Sequence, residues 1–192
     1  MVQPVTEHLD LSLAQLSVAQ YHAMRDAGIL DEDDSVELLE GLLVRKMTKL
    51  PPHSVATTLV KDALARVIPA AFHLRAQEPV TTADSEPEPD VAVVRGSPRD
   101  YLARHPSPGE VALIVEVADD SLKRDRGTKL RLYARAGIPE YWIVNLRAKT
   151  VEVYRGPRSD EYGTREDFSP GSSLVLAADD TTVTVEVDAL LP

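Results

Sequence analysis

The sequence predicts an α/β fold: a mixed central sheet of four or five strands, flanked by helices, with extra β-strands at the C-terminus. Three observations point there. Residues 111–118, VALIVEVA, are apolar on both faces, as expected of a central strand covered by helices. A second short apolar run, DVAVV at 90–94, precedes it. Between VALIVEVA and a further strand, PEYWIVNL, lies DDSLKRDRGTKLRLYARAG, which reads as a helix or as a loop running into one.

The other elements follow in chain order. Ser17 is an N-cap for SVAQYHAMRDAGIL, where Val18, Tyr21, His22, Met24 and Arg25 keep helical spacing and Gly28 is the stop. DEDD at 31–34 is a solvated acidic turn. VELLEGLLVRKM at 36–47 is rich in β formers around Glu40-Gly41, which predicts a hairpin or a bent strand. PPHSVATTLVKDALARVIP opens and closes on proline and sets Val55, Leu59, Ala63 and Val67 on one helical face. AFHLRAQEPV predicts a strand, and SPRDYLARH a short helix capped by Ser97. Gly137 ends the helix before PEYWIVNL, with Pro139 just beyond. TVEVYRG is another strand after the turn RAK, and SSLVLAADDTTVTVEVDALL gives one or two edge strands around an acidic turn. Residues 1–14 read as an N-terminal extension and 15–192 as a single domain.

Composition narrows the function. With 43% hydrophobic residues the chain can build a core. No window has the apolar length of a membrane span, and the N-terminus lacks the basic and apolar regions of a secretion signal. The absence of cysteine excludes disulfides and thiolate metal sites, and a cytoplasmic location is the expectation. The net charge of −10 runs against broad phosphate contact, since counterion release drives DNA binding through a basic surface. Any basic surface must be local. Lys123, Arg124, Arg126, Lys129, Arg131 and Arg135 do cluster, and a phosphate-facing surface and a solvated helix face explain them equally well.

Two acids sit on the apolar runs: Asp90 at the mouth of the first, Glu116 inside the second. Burying a carboxylate costs several kcal/mol unless it is paired or bound to a metal. Pro-Asp is common at strand entries for turn reasons alone, and Glu116 could pair with an arginine such as Arg95 or Arg131. If the two strands are neighbours, both carboxylates can enter one cleft. Together with water and a backbone carbonyl they form an oxygen-rich site suited to Mg²⁺ or Mn²⁺, not to zinc. A lysine would complete such a site, and Lys123 and Lys129 are the candidates. Asp125 and Lys129 share a helix face, with Tyr133 one turn on, although a plain surface pair would be worth only about 0.3–0.5 kcal/mol. His53 reads as a polar first-turn residue, and Tyr141-Trp142 as core or dimer contact.

EPDVAVV, IVEVADDSLKRDRGTKLRLYARAGIPEYWIVN and TVEVYRG, with VELLEGLLV and the helix near His53, together resemble the Uma-type restriction endonuclease family. That family, formerly a domain of unknown function, belongs to the PD-(D/E)XK nuclease-like superfamily. The likeness covers roughly residues 15–187, and the string D…G..K…Y..AG.PEYW is its most specific part. It implies a restriction-endonuclease-like fold and a metal-dependent nuclease acting on nucleic acid, with DNA the expected form. Asp90 matches the acid of the PD element and Glu116 the strand glutamate. Both would hold Mg²⁺ or Mn²⁺, with the carbonyl of Val117 as a further ligand. The superfamily's lysine normally lies two residues after that glutamate, where this chain has Ala118; a lysine of the following helix, Lys129, matches in its place. Glu40, ahead of Glu37, corresponds to an auxiliary acid. A homodimer is expected because cutting both strands of a duplex needs two sites. The acidic charge and Ala118 also fit an inactive nuclease-derived interaction module. A metal-dependent hydrolase of a small phosphorylated substrate would account for the missing basic surface.

Overall fold

The computed structural model describes residues 13–192, so the expected extension at 1–14 lies almost wholly outside the described residues. A six-stranded mixed sheet forms the centre, in the order β3-β4-β5-β6-β7-β8. Its strands are β3 (Phe72–Arg75), β4 (Val91–Arg95), β5 (Val111–Ala118), β6 (Glu140–Asn145), β7 (Thr150–Arg158) and β8 (Glu161–Phe168). Only β5 and β6 run parallel, joined by a helical crossover; every other neighbouring pair is antiparallel. The crossover is one helical stretch made of α3 (Leu122–Arg124), a π-helical turn (Asp125–Lys129) and α4 (Leu130–Arg135).

Each face of β5 has its own core, as its two-sided apolar pattern requires. Odd-numbered Leu113, Val115 and Val117 pack with Ala56, Val60 and Leu64 of α2 (Pro51–Ala65), and with Leu174 and Leu176 of β9 (Ser173–Ala178). Even-numbered Ile114 and Ala118 pack with Leu132 and Tyr133 of α4 and with Leu39 of β1 (Val36–Leu39). Trp142 and Tyr141 fall on opposite faces of β6 and are both fully buried within one chain, so they are core and not a dimer contact.

β1 and β2 (Leu42–Arg45) form the expected hairpin. Its two-residue loop has φ of 49° at Glu40 and 76° at Gly41, the left-handed pair that a type I′ turn demands. A Cβ on Gly41 would lie 2.6 Å from Gln15, so glycine is required there twice over. Ser17 caps α1 (Val18–Asp26) through a reciprocal pair with Gln20. At Ser97 the start is a 3₁₀ turn, Pro98–Tyr101, where the Ser97 N–H donates to Asp100 Oδ2 at 2.8 Å.

Three expectations change. The sheet has six strands because EYGTREDF adds β8 at the edge, where charged residues face solvent and no apolar alternation marks a strand. The C-terminal strands do not extend that sheet: β9 and β10 (Thr181–Glu186) pair with each other as a separate hairpin over the α2 face. The buried face of α2 is Ala56, Val60, Ala63 and Leu64, whereas Val55 is 50% exposed. Proline at the helix start allowed either face, and the small Ala56 is what permits close approach to β5. Among the described residues, no helix is long and apolar enough to cross a membrane.

Val60 is fully buried, so Val60→Ala should cost about 2 kcal/mol of stability. Val55→Ala should stay within about 0.5 kcal/mol. Urea denaturation of the two variants tests the assignment; equal losses would mean that α2 is rotated from this position.

Candidate active site

The register of β4 and β5 builds the floor of the site. Val91 pairs with Val115, so one step outward Asp90 lies opposite Glu116. Residues directly opposite in an antiparallel pair project to the same face. Pro87 and Pro89 hold the entry to β4 extended, and past its end the backbone of β5 has no strand partner on that side. Asp90 fills the gap: its Oδ2 accepts the Val117 N–H at 2.9 Å. In a strand the C=O of a residue points to the same edge as its N–H, so the Val117 carbonyl also faces the Asp90 side. The next residue faces the other way, where Ala118 O accepts Leu146 N–H.

The crossover helix supplies the cation. Lys129 Nζ donates to Glu116 Oε1 at 2.8 Å and lies 3.7 Å from Glu37 Oε2 of β1. Tyr133 Oη donates to the same Glu116 oxygen at 2.8 Å, which leaves Oε2 with no donor among the described residues. Asp90 is 6% exposed, and Glu116 and Lys129 are 3% each. The π turn ends at Lys129, where Leu130 N–H reaches back to Asp125 O. Tyr141 Oη donates to that same carbonyl at 3.2 Å, a side-chain intrusion of the kind that accompanies such turns. Asp125 itself is buried and accepts from the Ser121 hydroxyl.

The remaining walls line a small cleft that opens to solvent. His53, in the first turn of α2, sets Nε2 3.1 Å from Asp90 Oδ2. Gln77, held at φ 57°, donates to Asp90 Oδ1 at 3.4 Å. Glu88 pairs with Lys46, and Asp119 and Asp120 both pair with Arg147. Lys49 and Arg124 also line the cleft.

The Uma2 family model, described as "Putative restriction endonuclease", matches residues 18–186. The chain belongs to the Uma2 family. Its fold is similar to a solved structure from Anabaena variabilis ATCC 29413, described as "a putative nuclease belonging to DUF820". The two share 16% identity with a TM-score of 0.67, over 87% of this chain and 96% of that one. At that identity the likeness establishes the restriction-endonuclease-like fold. No curated protein matches the chain.

In this Uma2 chain, Asp90, Glu116, Val117 and Lys129 line one cleft, while Glu40 and Lys123 do not. Glu40 sits at the β1–β2 turn, where Arg131 Nη2 and Arg135 Nη2 each reach it at 2.6 Å. Glu37, ranked behind it in the sequence, occupies the cleft instead and accepts Glu88 N–H at 3.1 Å. The strand alternation explains the exchange, since a turn residue next to Gly41 points away from the sheet. His53, expected only as a polar first-turn residue, also lines the cleft; its signal, a histidine directly after two prolines at a helix entry, is too common to identify it. The arginines considered as partners for Glu116 lie elsewhere, with Arg95 on Asp179 and Arg131 on Glu40. Most of the basic run is likewise committed internally, including the Arg126 clamp on Glu152 at 2.6–2.8 Å.

The acids are electrostatically distinct. Burial pushes Glu116 up to about 8, with the neighbouring charges of Asp90 and Asp125 adding to the rise and Lys129 opposing it. Burial also raises Asp90, but the bonds from His53 and Val117 N–H outweigh it and hold that carboxyl below its usual value. Lys129 is raised despite burial, because Glu116, Glu37 and Asp125 surround it.

Among the described residues, no three His, Cys, Asp or Glu side chains close around a common point. A dedicated all-protein cage is therefore absent among them. Two carboxylates and a strand carbonyl on one edge of the sheet fit Mg²⁺ or Mn²⁺, which accept a partial protein set and complete it with solvent and phosphate oxygens.

Glu116 gives a pH test. At pH below 4.5 the carboxyl is protonated whether the chain is folded or unfolded. Between 4.5 and about 8 the unfolded chain releases the proton and the folded one keeps it, so stability falls as pH rises. Glu116→Gln cannot ionise. The metal-free variant should therefore lose less thermal stability across that window than the metal-free wild type. Parallel melting curves would mean that Glu116 stays ionised against Lys129 throughout.

Proposed function

We propose that this chain is a divalent-metal-dependent nuclease that hydrolyses phosphodiester bonds of nucleic acid, with DNA the first substrate to test. Asp90, Glu116 and the Val117 carbonyl would hold Mg²⁺ or Mn²⁺, and Glu37 takes the auxiliary role first expected of Glu40. One observation carries the reading: Lys129 brings an ammonium to 2.8 Å from Glu116 Oε1, beside Asp90, where Ala118 cannot supply a charge. When bound, the divalent ion supplies charge neutralisation at a phosphoryl oxygen.

The chain's own groups do the rest. Glu116 and Glu37 fix Lys129, so its remaining N–H bonds can orient a water and stabilise negative charge developing on phosphate. Tyr133 holds Glu116 through Oε1, keeping Oε2 turned to the cleft. His53 and the Val117 N–H both fall on Asp90 Oδ2 and set that carboxylate's orientation. A homodimer would bring two such clefts to the two strands of a duplex, and the cysteine-free chain suits a reducing cytoplasm.

Cleavage of single- and double-stranded DNA and of RNA, with Mg²⁺ and with Mn²⁺, is the direct assay. Lys129→Ala should lower turnover about 100-fold or more while leaving Mn²⁺ binding in place; burial already keeps the metal-free Glu116 protonated near neutral pH, so losing Lys129 leaves no uncompensated charge and the fold survives. Lys129→Arg should not restore full rate, because a planar guanidinium does not replace a compact ammonium. Lys123→Ala should be near wild type, and its being the dead variant would assign the wrong lysine. A wild type inert on every substrate and metal would favour the interaction-module reading.

Metal binding and the auxiliary acid have separate readouts. By calorimetry, Glu116→Ala should lose Mn²⁺ binding. Glu37→Gln should slow cleavage where Glu40→Gln does not, and the reverse ranking would return the auxiliary role to the hairpin turn.

A further inference from the structure

Arg124 differs from the other arginines of the basic run. Arg126, Arg131 and Arg135 each hold a carboxylate at 2.6 Å. Arg124 makes only a 3.3 Å bond to the Arg45 carbonyl and a 3.8 Å contact with Glu37. Its Nε–H is buried and meets no acceptor among the described residues. The side chain lines the cleft and remains 23% exposed, so a ligand can reach it. A buried N–H without an acceptor is unfavourable, so Arg124 is not tied down by its neighbours as the other arginines of the run are. Lys49 lines the same cleft with no ion pair among the described residues, whereas Lys46 is spent on Glu88 and Arg147 on Asp119 and Asp120.

Resting on the nuclease reading, we infer that Arg124 is a substrate-binding residue that grips a phosphodiester of the bound strand through its guanidinium end, where Nη2 makes no hydrogen bond among the described residues. The chemistry fits one ligand class. The planar guanidinium offers N–H groups in a fixed fork spaced for two oxygens of a phosphate. A lysine at this position would offer charge but not that fork. The weak Glu37 contact keeps the group aimed at the cleft without neutralising it as a 2.6 Å pair would.

The test is equilibrium binding of a fluorescein-labelled DNA strand, and of its duplex, in Ca²⁺ over a salt series. Arg124→Gln should weaken binding evenly across unrelated sequences and reduce the salt slope by about 1, the loss of one phosphate contact. Arg99→Gln, which removes a remote surface charge of the same sign, should leave the slope unchanged. In cleavage assays the effect should fall mainly on KM, with Arg124→Lys recovering part of the affinity. Thermal melting of each variant checks the fold. Wild-type binding and cleavage with an unchanged slope in Arg124→Gln would overturn the inference and leave the nuclease reading intact. A wild type that neither binds nor cleaves nucleic acid would overturn both.

Discussion

The Lys129 ammonium and the Glu116 carboxyl, joined under a helix, are the constraint around which the centre of this molecule is arranged. A charge left unpartnered at that depth would cost several kcal/mol, so each element that brings one of the two groups must bring the other into register. β5 places the carboxylate, and its parallel partner β6 sets where the crossover helix lands. The π turn then positions Lys129, and Tyr141 of β6 holds the turn by bonding the Asp125 carbonyl. Tyr133, one helical turn later, supplies the second donor to Glu116. Strand, crossover and strand are thus tied by polar geometry as well as by the apolar face they share.

Stability alone does not explain why such a pair is kept. Well-packed apolar side chains of similar volume are often as stabilising as a buried ion pair, or more so. A pair retained only for folding would also be expected deep in the core, closed on every side. Here it forms part of the wall of an open cleft, with Asp90 opposite Glu116 and a strand carbonyl turned the same way. The π turn adds to this, because such turns cost regular hydrogen bonding and recur at functional positions. Together these features make the pair intelligible as machinery that the fold supports.

Much of this was legible in the sequence because it is local. Asp90, Glu116 and Lys129 lie within forty residues of one another on elements marked by clear signals: a proline-led strand, a two-sided apolar run, and a helix closed by Gly137. The opposite wall was harder. Glu37 precedes the β1–β2 turn and Glu40 is part of it, and only the hairpin's direction relative to β4 and β5, more than fifty residues away, decides which enters the cleft. The pairs that hold Glu40 span 91 and 95 residues, a distance at which no pattern in the chain identifies partners. β8 escaped for a different reason: a charged edge strand hides the alternation that marks a strand, and the same charges protect its open edge.

The distribution of charge also corrects what composition suggested. The basic run after β5 looked equally suited to phosphate or to solvent, and most of it serves neither. Arg126 locks the fully buried Glu152, which Asn145 and Tyr154 also hold, and Arg155 reaches the buried Glu140. Arg131 and Arg135 fasten the β1–β2 turn to the crossover helix. This sheet buries carboxylates repeatedly, and arginine is spent on satisfying them. A chain of net charge −10 that uses its arginines in this way has little left for long-range attraction of a polyanion. On the nuclease reading proposed above, recognition of nucleic acid would be short-ranged, made inside the cleft by the few side-chain charges that the fold has not already consumed.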